Sequence, residues 1–514
     1  MPGPDKKSNT AMGDQQDLSK KYKKHTHREH ILEIPDTYIG SIDHVTEDIY
    51  HCRKSKTDLA GGELAPEPDN THSLGLNSEM ICGPLEIVPG LYKIYDEILV
   101  NARDHVVRLF DKRISQRSMK INLVTMIRVN INQTTGQVTV YNDGDGIDVE
   151  KHPEHGVYIP SLVFGELLTS TNYDKSEKRV TGGKNGYGAK LTNIFSKKFV
   201  VETVDAIRKR HFRQEYRDNL TVKDEPVVTS FKGKPFTKIE FIPDFEKFGL
   251  TGWTDDMVHL MTRRAMDIAA CTDKSVKVYL DDKELPVRHF QNYMDMYLGP
   301  PDVQFRLYEK VNDRWEIGVA ISPDENFHQV SFVNGIYTSK GGKHVEYVVN
   351  QICKKVCEWI EKRKKITVKP TYVRENLSVF ILSVIENPSF DSQTKETLTT
   401  TSANFGSKCV VTDKFIERLA KSDIIERIIE LHEFKESKSL KKTDGRKTSS
   451  IRGIPKLDDA NWAGTAKSKM CTLILTEGDS AKSMAVAGLS VVGRNEYGVF
   501  PLKGKIINVR EKTA

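Results

Sequence analysis

The sequence lacks the features of secreted, disulfide-rich and membrane proteins. No run of about 18 apolar residues occurs, and the polar, basic N-terminus has no apolar segment of the kind found in signal peptides. The seven cysteines are scattered without zinc-site spacing, and Cys353 and Cys357 are spaced as on one helix face. These absences predict a soluble, non-secreted protein of a reducing compartment.

A strong excess of basic charge is also absent. The 77 Lys and Arg residues and 71 Asp and Glu residues leave a net charge of +6 over 514 residues. A protein that coats nucleic acid would be more basic, so any DNA contact should come from local patches. The length and the 38% of hydrophobic residues predict several packed domains rather than one.

The chain has no Walker A loop, because no Gly-x4-Gly-Lys-Ser/Thr segment occurs. Residues 181–190 instead read TGGKNGYGAK, and 191–195 continue with apolar residues at helical spacing. Glycines let the backbone approach an anion closely, and a helix N-terminus favours phosphate. Taken alone, the segment suits a plain structural loop equally well.

Two further segments have chemical potential. Residues 92–101 predict a helix, on which Glu97 and Asn101 are four residues apart and project from one face. The pair suits a water-activating base and a Mg²⁺ ligand, although an exposed polar stripe would have the same pattern. At 138–141 a β-branched strand precedes Asn142 and an Asp-Gly-Asp-Gly turn, which by itself is an ordinary strand-turn signal.

The order of these three segments resembles the GHKL ATPases, and most specifically the eukaryotic-type DNA topoisomerase II family. Segments similar to that family also stand at 29–32 (EHIL), 35–41 (PDTYIGS) and 168–174 (LTSTNYD). The resemblance extends over about residues 21–510. It implies an α+β protein with a GHKL (Bergerat) α/β sandwich, a transducer domain with a left-handed βαβ unit and a truncated TOPRIM α/β segment.

The resemblance and the local composition together divide the chain. They predict a disordered tail at 1–20, the GHKL ATPase domain with an N-terminal strap at 21–267, a surface insertion within it at 54–80, a transducer domain at 268–433, a linker at 434–470 and a partial TOPRIM domain at 471–514.

The resemblance implies that the first domain binds ATP with Mg²⁺. Glu97 would be the general base that activates water, Asn101 would bind the Mg²⁺ of the nucleotide, and Asn142 would contact the adenine amino group. Tyr22 of the strap would reach the nucleotide of a partner subunit. The other implied ATP contacts are His105, Arg108, Ser170, Thr171, Asn172, Lys184, Asn185, Gly186, Tyr187, Gly188, Ala189 and Lys190.

Three positions depart from the family pattern. His105 replaces an asparagine, Lys184 replaces a frequent arginine, and Ile34 stands where arginine is usual. Lysine at 184 keeps the charge but loses the bidentate guanidinium geometry. None of these changes removes a residue that hydrolysis requires.

In the second domain, strands are predicted at 305–308, 315–321 and 329–335, and a helix at 344–365. The helix ends in Lys362, Arg363, Lys364 and Lys365. This cluster suits a solvated helix end and, by resemblance, a DNA contact.

Residues 392–395 read SQTK. A lone lysine in a polar loop usually lies on the surface, but in the family this loop contacts the nucleotide. Gln393, Thr394 and Lys395 would therefore bind ATP. Lys395 would sense the γ-phosphate and couple its loss to a domain rotation.

The last segment predicts a strand at 472–476 that ends in Glu477, ahead of a helix. An acid there can cap the helix or bind a ligand. The resemblance implies a Mg²⁺ ligand in Glu477 and DNA contacts in Lys503 and Lys505. No Asp-x-Asp pair follows, so we expect a fragment that hydrolyses ATP without cleaving DNA.

The expected activity is that of an ATP-operated, homodimeric gate of a type II DNA topoisomerase. It would capture one double-stranded DNA for passage through a transient break in another, and so relax and decatenate DNA. The expected location is the nucleus or, for a viral enzyme, the infected cell. The alternatives are another GHKL ATPase, such as a chaperone or a mismatch-repair clamp, and a non-enzymatic product that binds DNA or titrates full-length subunits.

Overall fold

The computed structural model describes residues 25–52, 79–116, 118, 120–167, 178–183, 186–300, 304–443 and 456–502. The tail predicted at 1–20 and most of the insertion predicted at 54–80 lie outside these ranges. Two compact units are present, Met1–Ile429 and Glu430–Ala514. Both contain helices and strands, as the predicted mixed fold class requires. None of the helices in the described ranges combines the length and apolar character needed to cross a bilayer.

The first unit begins with a short helix and a strand pair. Helix α1 (His27–Glu33) starts at a capping box, in which Thr26 and Glu29 each accept a backbone N–H of the other. Strands β1 (Val45–Cys52) and β2 (Met80–Ile87) then pair antiparallel.

A nine-stranded sheet forms the centre of the first half of this unit. Its strand order is β11-β10-β3-β4-β9-β5-β6-β7, with β8 also paired to β6. The strands are β3 (Met126–Ile131), β4 (Val138–Asp143), β5 (Ser196–Val204), β6 (Arg210–Arg217), β7 (Val222–Lys223), β8 (Val227–Ser230), β9 (Phe236–Pro243), β10 (Lys277–Leu280) and β11 (Lys283–Glu284).

Four helices accompany this sheet, and the longest confirms the helix predicted at 92–101. They are α2 (Pro89–Ser115), α3 (Ile159–Gly165), α4 (Gly188–Ile194) and α5 (Asp255–Ala270). Helix α2 buries Leu91, Ile94 and Ile98 on its apolar face. It packs against α4, α5 and β4, which places its polar residues beside the glycine-rich segment.

The first sheet extends past residue 267, where the sequence predicted the domain to end. Helix α5 continues to Ala270, and β10 then returns to pair in parallel with β3. The predicted boundary therefore falls inside a helix, and residues 277–284 belong to the first sheet.

The second half of the unit is a five-stranded sheet of order β12-β13-β16-β14-β15 with helices around it. The strands are β12 (Arg306–Asn312), β13 (Trp315–Ile321), β14 (His328–Val333), β15 (Ile336–Tyr337) and β16 (Leu377–Ser383); the helices are α6 (Phe290–Leu298), α7 (Lys343–Lys364), α8 (Pro370–Glu375) and α9 (Asp413–Leu419). Strands β14 and β16 are parallel, and α7 lies between them in sequence, as in a βαβ unit. The left-handed sense stays a prediction.

Helix α10 (Ile424–Thr443) leads into the second unit, which contains β17 (Thr472–Glu477), α11 (Gly478–Val492) and β18 (Tyr497–Leu502). Strands β17 and β18 are parallel. Part of the predicted 434–470 linker is ordered, because Asp458 exchanges two backbone hydrogen bonds with Val499 at 2.9 and 2.7 Å. A Lys- and Gly-rich composition did not reveal this pairing.

Candidate active site

A cavity of about 860 Å³ lies beside α2 in the first unit. We call it the Glu97 cavity. It is bounded by α2, the turn after β4, the start of α4 and the loop that carries Lys395. Of the residues predicted to bind ATP or act in catalysis, it is lined by Glu97, Asn101, His105, Arg108, Asn142, Gly186, Tyr187, Gly188, Ala189, Lys190, Gln393 and Lys395.

The Glu97 carboxylate is buried and held by two ammonium groups. Its Oε1 accepts from Lys93 Nζ at 2.8 Å and from Lys395 Nζ at 3.1 Å. All three side chains are less than a tenth exposed. Burial would raise the pKa of Glu97, but the charges of Lys395 and Lys93 outweigh it and lower the pKa to about 2.

Lys93 was not identified from the sequence as a site residue. It stands one helical turn before Glu97 and also contacts Asp96 at 3.4 Å. On an amphipathic helix such a lysine is usually interpreted as a surface residue. The spacing of four residues between Lys93 and Glu97 was the sequence feature that could have indicated their ion pair.

The opposite oxygen of Glu97 lies against the start of α4. A Cβ at Gly188 would stand 2.0 Å from Glu97 Oε2, far inside contact distance. Only glycine fits there, so the glycine-rich segment is required for the close approach of its backbone to the carboxylate.

Asp104 fixes the beginning of the glycine-rich segment. It is 1% exposed, and its two carboxylate oxygens accept the N–H groups of Gly182 at 2.9 Å and Gly183 at 2.8 Å. Sequence reasoning missed this residue, although Asp104 follows Glu97 by seven positions, which is two helical turns on the same face.

Lys190 stabilises the C-terminal end of the same glycine-rich segment. Its Nζ donates to the Gly186 carbonyl at 2.8 Å. Burial lowers the pKa of Lys190 to about 8. The ammonium therefore lies close to the cavity and stabilises the loop conformation at the N-terminus of α4.

The predicted turn after β4 is confirmed. Asn142 is buried, and its side-chain amide donates to the Asp143 carbonyl at 2.7 Å. Asp143 in turn accepts the N–H groups of Thr125 and Met126. Gly146 has φ +71, and a Cβ there would meet the Val204 carbonyl at 2.0 Å, so the turn needs glycine.

His105 lies in the cavity wall with a neutral ring. Burial and the charges of Arg108 and Lys112 lower the pKa of His105 to about 3. Its buried Nε2 has no hydrogen-bond partner among the described residues. Because His105 lines the Glu97 cavity, this ring is a candidate to offer a hydrogen-bonding atom to a ligand there.

Other predicted residues are not brought into the cavity. Thr394 bonds Ser392 and lies next to Gly40 rather than lining the cavity. Glu477 is exposed at the end of β17, and Lys362, Arg363, Lys364 and Lys365 are exposed at the end of α7. Tyr22, Ser170, Thr171, Asn172, Lys184, Asn185, Lys503 and Lys505 lie outside the described residues.

Comparison with known proteins identifies relatives over most of the chain. A family model described as DNA gyrase B matches residues 279–448. The protein named DNA topoisomerase 2 of Bombyx mori is 46% identical over 98% of this chain and 31% of its own length. That of Acanthamoeba polyphaga mimivirus is 45% identical over 96% of this chain and 37% of its own length. The chain thus spans about a third of these relatives.

A solved structure also matches most of the chain. The crystal structure of the ATPase and transducer domains of DNA topoisomerase II from Balamuthia mandrillaris is 41% identical, with a TM-score of 0.71. The match covers 81% of this chain and 99% of that one. The predicted GHKL-type ATPase fold followed by a transducer domain is therefore confirmed. The chain belongs to the type II DNA topoisomerase family.

Proposed function

We propose that this chain binds and hydrolyses ATP as part of an ATP-dependent type II DNA topoisomerase. The observation that carries the proposal is the buried Glu97 carboxylate, which lies in a cavity of about 860 Å³ and bonds a lysine from the transducer half. A buried acid in a cleft, controlled by a charge from another element, is typical of a functional site.

Glu97 is proposed as the general base. Its low pKa keeps the carboxylate ionised at neutral pH, so it can accept a hydrogen bond from a water molecule and orient that water towards the γ-phosphate. While both lysines bind Oε1, however, the carboxylate is strongly stabilised and is a weak base.

Lys395 is proposed to exchange partners when ATP enters. The triphosphate carries several negative charges and competes with Glu97 for the ammonium group. Transfer of Lys395 to the phosphate removes one of the two charges that lower the pKa of Glu97, so its basicity rises as the substrate arrives. Loss of phosphate would return Lys395 to Glu97, which links hydrolysis to movement of its loop.

Asn101 is proposed to hold the Mg²⁺ of MgATP. Its amide oxygen is a hard donor on the cavity side of α2, one turn from Glu97, and Mg²⁺ takes most of its other ligands from phosphates and water. The metal would neutralise phosphate charge during transfer. The remaining predicted ATP contacts, including Tyr22 from a partner subunit, belong to this proposal.

Two sets of contacts can transmit a change at Glu97 to the transducer half. Arg264 binds Asp96 at 2.6 Å and the Gly335 carbonyl at 2.7 Å. Asn334 donates to the Thr181 carbonyl at 3.3 Å and accepts from the Ile385 N–H at 2.8 Å. The turn between β14 and β15 is therefore linked to α2 through Arg264 of α5, and it bonds the start of the glycine-rich segment directly.

For the whole protein we propose the family's dimeric gate, which captures double-stranded DNA, relaxes and decatenates it, and acts in the nucleus or in a virus-infected cell. Lys362, Arg363, Lys364, Lys365, Lys503 and Lys505 are the proposed DNA contacts. Glu477 is the proposed Mg²⁺ ligand of a TOPRIM domain, at the carboxyl end of β17.

The test is ATP hydrolysis as a function of protein concentration, combined with sizing in a non-hydrolysable ATP analogue. We expect a rate that rises more than linearly, a dimer with the analogue, and loss of turnover in Glu97→Gln. Glu358→Gln, on the exposed face of α7, is the matched control. Hydrolysis by a monomer would contradict the dimeric gate, and an active Glu97→Gln variant would contradict the base assignment.

A further inference from the structure

The loop between β4 and α3 carries two histidines and a glutamate at the edge of the Glu97 cavity. His152, Glu154 and His155 each offer one ligand atom, and these atoms all lie within 4.8 Å of one another. Within the described ranges, no other group of three His, Cys, Asp or Glu side chains approaches so closely. The proposed hydrolysis does not use any of the three.

The backbone of this loop is fixed. The N–H of His152 donates to the Val157 carbonyl at 2.8 Å, and the N–H of Gly156 donates back to the His152 carbonyl at 2.8 Å. Two residues outward on each side, the N–H of Ile159 donates to the Glu150 carbonyl at 2.9 Å. Gly156 supplies the positive φ of +67 that closes the turn. The three side chains therefore project from a preformed turn.

The two imidazoles are already adjacent. Their ring centroids are 4.6 Å apart with an interplanar angle of 26°. Nδ1 of His152 accepts the Glu154 N–H at 3.3 Å, which leaves Nε2 as the nitrogen for a ligand. Tetrahedral zinc with bonds of about 2.0–2.1 Å needs ligand atoms roughly 3.3 Å apart. The ligand atoms, now within 4.8 Å of one another, would close to that separation by rotation of the exposed Glu154 and His155 side chains.

The neighbouring acids are committed elsewhere. Asp148 and Glu150 bind Arg208 at 2.6 and 2.5 Å, and Arg208 also binds Asp205 at 3.0 Å. The available ligand set is thus two imidazoles and one carboxylate. Nitrogen-rich sets of this kind favour Zn²⁺ and related transition-metal ions, whereas Mg²⁺ prefers oxygen ligands.

We propose that His152, Glu154 and His155 form a binding site for a zinc-class divalent ion, and that the bound ion slows entry of nucleotide. Both histidines line the Glu97 cavity, so an ion with its water ligands would take up part of the space through which a nucleotide enters. The binding of the ion is independent of the proposed function, whereas the slowing of nucleotide entry rests on the proposed ATP site.

Binding is tested by titrating the metal-free chain with Co²⁺ and then displacing it with Zn²⁺. We expect visible d–d absorption without a thiolate charge-transfer band, which separates this site from the cysteines. The double variant His152→Ala, His155→Ala should lose the signal. Glu154→Gln should weaken Co²⁺ binding by at least the roughly 10–100-fold typical of losing a supporting partner.

The chain offers a matched control. His51 and His259 form a second stacked pair, with centroids 5.6 Å apart and an angle of 24°, but no third ligand joins them in the described structure. His51→Ala, His259→Ala should bind Co²⁺ as the wild type does. Equal binding by the wild type and the His152, His155 double variant would overturn the site, as would loss of binding in both double variants. Thermal unfolding of each variant verifies its fold.

The effect on nucleotide entry is measured as the association rate of a fluorescent ATP analogue in buffered Zn²⁺, each protein being compared with its own zinc-free rate. We expect at least a twofold decrease in the wild type and in the control pair, and no decrease in His152→Ala, His155→Ala. An unchanged wild-type rate would overturn the gating statement. Failure of every variant to bind the analogue would instead refute the proposed ATP site and leave the Co²⁺ result intact.

Discussion

At the scale of single residues, the charge state of Glu97 depends on two lysines with different origins. Lys93 is one turn away on the same helix, whereas Lys395 comes from a loop 298 residues away and is the lysine proposed to exchange partners. A base with only the mobile lysine would lose all compensation for its burial at the moment when ATP takes that lysine. Lys93 therefore serves as a positioning residue that keeps Glu97 ionised during turnover.

Lys93→Gln tests this role, because it retains a hydrogen-bond donor and removes the charge. Burial should then raise the pKa of Glu97, and an opposite charge nearby is typically worth about 1–3 pKa units. Since the base must be ionised, we expect the acid limb of the pH profile of kcat to move to higher pH, with activity recovering as pH rises. Lys93→Arg should restore the wild-type profile. An unchanged acid limb in Lys93→Gln would refute the role.

Gly188→Ala should abolish ATP hydrolysis while the protein remains folded. The added methyl would stand 2.0 Å from Glu97 Oε2, so either the base or the start of α4 must move. Gly488 also lies in a helix, but a Cβ added to it would meet no atom within 4 Å. Gly488→Ala should therefore leave turnover unchanged and stabilise its helix by about 0.5–1 kcal/mol. Steady-state ATPase rates and thermal melts compare the two, and normal turnover in Gly188→Ala would contradict the close fit of this glycine against the carboxylate.

At the scale of elements, helix α2 supplies both the chemistry and the support of the site. Glu97 and Asn101 face the cavity, and Asp104 anchors the glycine-rich segment through two backbone N–H groups.

Hydrogen bonds to a charged acceptor contribute about 1.5–3 kcal/mol each. Asp104→Asn keeps one acceptor oxygen, so we expect KM for ATP to rise about tenfold or more with a smaller change in kcat. Asp111→Asn, exposed farther along α2, is the control, and equal KM values in both variants would refute the anchoring.

The elements that the sequence predicted were those whose signals are local. Periodic apolar residues identified the part of α2 around Glu97, and β-branched residues ahead of Asn142 identified β4. Asp104 was missed because its partners are 78 and 79 residues away and a helical acid looks like surface charge until they are known. The return of β10 to the first sheet was missed for the same reason, since the pairing of Lys277 with the distant Met126 leaves no local pattern.

At the scale of the whole molecule, the two units contain parallel strand pairs in very different surroundings. In the first unit, β14 and β16 lie inside a five-stranded sheet, where Phe332 and Ile381 are 0% exposed. In the second unit, β17 and β18 form a sheet of two strands, and Leu473 and Leu475 are 53% and 51% exposed. Two-stranded sheets are marginally stable because few apolar contacts resist local opening.

Amide hydrogen exchange should therefore be much faster in β17 than in β16 of the same chain. Peptides from the two strands serve as mutual controls in one mass-spectrometric experiment, since temperature, pH and protein concentration are shared. Protease cleavage should follow the same order, with sites after about Met470 cut before sites within β13 or β16. Equal protection of β17 and β16 would contradict this prediction. It would mean that contacts beyond the β17–β18 pair stabilise the second unit, such as association of copies through the exposed leucines. Sizing of the same sample would show whether the copies associate.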